Sequence, residues 1–187
     1  RDLALKFKRL DNISFSLDNS GVLGITLTER EGKYIWCGEN LPDPLLAVEE
    51  GVCSFMDNSG YVFDTAPYFS GDVYFKFFGP LVNSFFSPDV FTKFALLRDR
   101  IEDMDIKPSS VLVKIDGDIE FYLSSNILPP EAPKIIFKKD FELEKLSENL
   151  QAALTTDPLQ SDIKNRYSSL LYIDLRFGNK VYFKFND

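Results

Sequence analysis

The chain of 187 residues contains no histidine. That absence removes the commonest general base near neutral pH and the commonest metal ligand together. Basic charge is also short: 21 Lys and Arg against 29 Asp and Glu leave a net charge of −8 and a pI near 4.7. Binding to a phosphate backbone needs a basic face, so nucleic acid is not an expected partner. Long apolar runs are missing; no stretch could span a bilayer, and no signal peptide is visible. Cysteine occurs only at Cys37 and Cys53, which form either one disulfide or two buried thiols.

Phenylalanine is abundant, with 18 copies in an aromatic content of 14%, which favours β-structure. The closing stretch, SSLLYIDLRFGNKVYFKFND, alternates apolar and polar residues with the period of a half-buried strand. Leu171, Ile173, Leu175 and Phe177 form one apolar set, and Val181, Phe183 and Phe185 the other. Both sets are odd-numbered, so a loop of Gly178, Asn179 and Lys180 predicts pairing of Phe177 with Val181, Leu175 with Phe183 and Ile173 with Phe185. The opposite face then pairs Asp174 with Lys184 and Arg176 with Tyr182.

The same parity test predicts three more hairpins. Ile13, Phe15 and Leu17 face Leu23, Ile25 and Leu27; Cys53 and Phe55 face Phe63 and Thr65. Both turn on the tetrapeptide DNSG, whose Gly suits the left-handed position of such a loop. Val111, Val113 and Ile115 face Ile119, Phe121 and Leu123 across Asp116-Gly117-Asp118. A looser pair joins GKYIWCG to the strand near Cys53. Two helices are expected. One has Ser87 as N-cap and a stripe of Val90, Phe94, Leu97, Ile101 and Met104; the other has Asp140 as N-cap and Leu143, Leu146, Leu150 and Leu154 inside. The opening RDLALKFKRL reads as a piece of helix (Leu3, Phe7, Leu10) without an N-cap, as though the natural N-terminus and any anchor on it lay upstream. The fold class is α+β: antiparallel hairpins and sheet with two main helices packed on it. A break after Glu31-Gly32 divides a small unit, 1–32, from the remainder, 33–187.

Catalytic constellations are hard to assemble. The pairs Asp116/Asp118 and Asp103/Asp105 offer carboxylates to a hard cation, but they read more simply as turn and helix-end residues. Ser109, Ser110 and Lys114 do not sit on a helix that would make a Ser–Lys dyad. The aromatic stretch 74–91 is either core or an exposed partner surface.

Three stretches, in this order, carry a resemblance. NISFSLDNSGVLGITLTERE resembles the closing strands of a POTRA domain, CSFMDNSGYVFDTAP resembles the hairpin that follows it in the bacterial cell-division family FtsQ/DivIB, and YIDLRFGNKVYFKF is similar to the hairpin that closes that family's β domain. The resemblance implies that 1–32 is the C-terminal part of a POTRA-like unit and 33–187 the β domain. It implies a non-enzymatic divisome scaffold without a cofactor, held in the cytoplasmic membrane by one N-terminal helix and extracytoplasmic in this region. Its partners during septum formation would be FtsB/FtsL-like bitopic proteins, added as a strand along the last β-strand. The partner-binding residues would be Arg176, as a clamp for a partner carboxylate, with Phe177, Val181, Tyr182, Phe183, Lys184 and Phe185. The alternative from another class is a secreted β-rich module that stacks sugars on aromatics or holds calcium.

Overall fold

The computed structural model describes residues 6–42, 53–69 and 71–186, together with Leu3. In chain order the strands are Leu10–Leu17 (β1), Leu23–Glu29 (β2), Tyr34–Trp36 (β3), Ser54–Met56 (β4), Val62–Thr65 (β5), Lys76–Phe78 (β6), Leu81–Val82 (β7) and Phe85–Phe86 (β8). Helix Phe91–Glu102 (α1) leads to Pro108–Val113 (β9), Asp118–Leu123 (β10) and Lys134–Lys138 (β11). Helices Leu143–Leu154 (α2) and Leu159–Arg166 (α3) precede Leu170–Phe177 (β12) and Lys180–Phe185 (β13). Nine strands form one sheet in the order β13-β12-β11-β10-β9-β6-β3-β4-β5. The fold is α+β, and its large sheet is mixed: β3/β6, β6/β9 and β11/β12 pair in parallel, the last two across helices.

The main core lies between one face of this sheet and the helices. Phe77, Phe121, Ile135 and Ile173 from the strands meet Phe94, Leu97, Ile101 and Leu150 from α1 and α2, all nearly inaccessible to solvent. Phe75, Phe77, Phe78, Phe86 and Phe91 are buried, so the aromatic stretch is core. The helical stripes form as expected, with shifted starts. Ser87 precedes Pro88 and sits at φ 36°, and α1 begins at Phe91. The Ser87 carbonyl accepts from the amides of Val90 and Phe91, but Val90 occupies the N-cap position of α1 and no side chain caps it. Glu142, not Asp140, occupies the N-cap position of α2. Helix α3 was not anticipated; its sequence LQSDIKNR buries only Leu159 fully and shows no apolar stripe. Of the expected opening helix, Leu3 and Lys6 are helical and the Phe7 amide donates to the Leu3 carbonyl at 2.8 Å. The chain then turns at Lys8 and Arg9, and Leu10 belongs to β1; residues 1, 2, 4 and 5 lie outside the described residues.

The DNSG turns share one geometry. Asp18 Oδ1 accepts from the amides of Ser20 and Val22 at 2.9 Å each; Asp57 Oδ1 accepts from those of Ser59 at 2.8 Å and Tyr61 at 3.1 Å. Their registers are only partly as predicted. Leu17 pairs with Leu23 and Phe15 with Ile25, but the ladder shifts between Asp11 and Ser14. Phe55 pairs with Asp64 rather than Phe63, because a bulge follows Met56↔Val62. In β9–β10, Val113 pairs with Ile119 and Val111 with Phe121: Gly117 takes the left-handed loop position, φ 84°, which moves the loop to Ile115-Asp116-Gly117.

Among the described residues, the ribbon β1–β2 shares no ladder with the large sheet. It exposes Phe15, Leu17, Leu23, Ile25 and Leu27 along one face. Arg30 joins it to the main body, bonding Asp11 at 3.0 Å and Asp57 at 2.5 Å and lying over the Tyr61 ring.

Candidate functional site: an open edge strand beside a charged sheet face

Among the described residues, strand β13 ends the sheet on one side, with β12 as its single neighbour. Its hairpin corrects the predicted register. Phe177 pairs with Lys180 across a two-residue turn, Asp174 with Tyr182, Ile173 with Phe183, Tyr172 with Lys184 and Leu170 with Phe185. Two residues in the turn would send the apolar sets to opposite faces; an irregularity between Asp174 and Phe177 restores the parity. Asn149 Nδ2 ties the turn to α2 by donating to the Gly178 carbonyl at 3.0 Å.

Both irregularities in this hairpin place the extra residue on β12, so β13 alternates without interruption. The Asn186 amide donates to the Ser169 carbonyl at 2.7 Å, which sets the phase. Tyr182 and Lys184 therefore turn their main-chain groups toward β12, while Val181, Phe183 and Phe185 turn theirs outward. The side chains divide oppositely. Phe185 is buried under the Arg166 guanidinium, and Val181 and Phe183 are half-buried against the core. Tyr182 and Lys184 project from the other face, and Tyr182 packs edge-on against the exposed Phe177 ring, centroids 5.2 Å apart.

Arg176, the expected clamp for a partner carboxylate, already holds two carboxylates of its own domain. Its Nη2 and Nε bond the Asp174 carboxylate at 2.6 and 2.9 Å, and its Nη1 bonds Asp118 at 2.5 Å. Its Nε, Nη1 and Nη2 each make a bond inside the domain, and the pairing with Asp174 raises its pKa further. Asp174 accordingly does not meet Lys184; it faces Tyr182 in the ladder and Arg176 in space.

Arg176 belongs to a network that sequence reasoning did not assemble. Asp118, Glu120 and Asp174 are 5–7% exposed on the sheet face opposite the helices. Lys138 and Arg176 close over Asp118, and Lys114 and Lys134 hold Glu120 at 2.6 and 3.1 Å. The Lys138 bond, with help from Arg176, holds the Asp118 carboxyl below the usual range despite burial. Burial pushes Glu120 up, but bonds from Lys114, Tyr122 and Lys134 together bring it below its ordinary value. Burial, then the bond to Glu120, pushes the Tyr122 phenol far up, so it stays protonated and donates. The signal was present in the spacing: DIEFYL alternates acid with apolar, and KIIFK places a lysine at each end of the facing strand.

The other candidates are taken up structurally. Asp116 accepts from the Asp118 amide within its turn, and Asp118 is committed to cations. Ser109 Oγ donates to the Tyr122 carbonyl, while Lys114 is paired with Glu120, so no Ser–Lys dyad is assembled there. Among the described residues no three acidic, Cys or His side chains converge as metal ligands. Cys37 and Cys53 are joined in a disulfide that links β3 to the start of β4, beside a second small core of Ile35, Phe78, Leu112 and Tyr122. No helix among the described residues is long and apolar enough to cross a membrane. Comparison with protein-family models and with curated proteins finds no match to this chain.

Proposed function

We propose that this chain is the extracytoplasmic part of an FtsQ/DivIB-like divisome scaffold, which holds FtsB/FtsL-like bitopic proteins by accepting a strand along β13. The observation that carries the proposal is the edge itself: outward main-chain groups at Val181 and Phe183, above half-buried apolar side chains, on a strand with one neighbour. Such an edge supplies main-chain hydrogen bonds for affinity and side-chain neighbours for specificity. The disulfide supports an oxidising compartment outside the cytoplasm. The open apolar face of β1–β2 supports a POTRA-like unit, because a two-stranded ribbon of this kind needs further elements packed on it. In this reading the protein is non-enzymatic and is tethered to the inner membrane by a single helix upstream. Burial of the Phe cluster in 74–91 and the ion pairing of Asp118 favour this reading over the calcium- or sugar-binding alternative.

The test is binding to the extracytoplasmic segment of FtsB from the same organism. Val181→Pro removes one outward amide and leaves the ladder to β12 in place, whereas Tyr182→Pro would remove a donor from that ladder. Micromolar or tighter binding, weakened at least about tenfold in a folded Val181→Pro protein, is the expected result. Absence of binding by the unaltered domain overturns the proposal.

A further inference from the structure

We infer that the strand accepted by β13 carries acidic side chains four residues apart, over Lys180 and Lys184, with apolar side chains between them on Val181 and Phe183. This rests on strand addition at β13 and specifies its partner. In a chain of net charge −8, the run KVYFKF holds two lysines and no acid. Both lysines are exposed, and among the described residues neither takes part in an ion pair. Of the other cations on this sheet face, Lys114, Lys134, Lys138 and Arg176 each hold a buried carboxylate, and Lys76, on β6 beyond β9, donates to the Gly71 carbonyl at 3.4 Å. On the edge strand itself, Lys180 and Lys184 are cations whose charge is left for a neighbour.

Geometry fixes the spacing. Lys180, Tyr182 and Lys184 share one face of the strand, so the two ammonium stems stand about 13 Å apart. A strand laid alongside presents every second residue to that face, whichever way it runs, and reaches both lysines with residues i and i+4. Residues i+1 and i+3 fall on the other face, beside the half-buried Val181 and Phe183. The same two lysines reject a second copy. Two β13 strands paired antiparallel about Tyr182 bring Lys180 of each opposite Lys184 of the other, a like-charge pairing on an edge. One pair of charges thus discourages self-association and selects an acidic strand.

The experiment uses two synthetic heptapeptides, Ser-Glu-Val-Thr-Val-Glu-Ser and its counterpart with Lys at both Glu positions. Each is titrated into the isotope-labelled protein while the Val181 and Phe183 amide resonances are followed. The Glu peptide is expected to bind about tenfold more tightly at low salt, the gap closing near 0.5 M salt as screening removes it. Charge reversal at both exposed positions, Lys180→Glu with Lys184→Glu, is expected to invert the preference. Equal binding of the two peptides, or tighter binding of the Lys peptide, overturns the acidic preference and leaves strand addition standing. No response at Val181 and Phe183 to either peptide overturns both.

Discussion

Asp118 sits 7% exposed with Lys138 and Arg176 bonded to it, so its charge is useful only while both cations stay in place. Its pKa is depressed in the folded state, chiefly by the Lys138 bond. A depressed carboxyl contributes stability that is fully present above its unfolded value, near 3.9, and is lost as pH falls through the folded value. Stability should therefore hold from neutral pH to about pH 5 and fall below about pH 4. Asp118→Asn should cost roughly 1–3 kcal/mol at pH 7, and the two proteins should converge toward pH 3, as read from urea unfolding at each pH. Arg176 illustrates why the site was only half legible. Its place in an Asp-Leu-Arg run is visible in sequence, but the second carboxylate it binds is 58 residues away.

Among the elements, turns and helical stripes were readable, because Asp-Asn-Ser-Gly chemistry and a 3.6-residue period are local properties. Strand registers were less so. Phe177↔Lys180 and Phe55↔Asp64 depend on bulges, which leave the alternation of the sequence unchanged while moving its partner. The parallel pairing of β6 between β3 and β9 carried no local signal either. The two DNSG turns provide an internal comparison. Gly21 and Gly60 have φ of 81° and 83°, but a Cβ at Gly60 would lie 2.9 Å from the Phe91 ring, whereas Gly21 faces open space. Gly21→Ala should cost about 1 kcal/mol from backbone conformation alone, and Gly60→Ala roughly 1–2 kcal/mol more from displacing a buried ring. Denaturant midpoints of the two variants, with hydrogen exchange at the first turn, check the difference.

For the molecule as a whole, one sheet is finished differently on its two faces. Helices and aliphatic or aromatic side chains cover one, and the other divides between paired charges and a small core next to the disulfide. Replacing both Cys37 and Cys53 by Ser, across a sequence separation of 16, should lower stability by about 2–4 kcal/mol. Thermal unfolding of this variant and of the reduced parent should agree, and β13 should bind its partner unchanged in both.

The parallel joins also fix a tempo. The hairpins close over a few residues, but Ile35 must find Lys76, Phe77 must find Val111, and Ile135 must find Ile173 before the sheet is continuous. Each of these closures pays loop entropy in advance of any contact that rewards it, so assembly is expected on the order of milliseconds to seconds rather than microseconds. During that interval several strands have bare edges at once, and the lysines of β13 then guard an unfinished chain as well as a finished one.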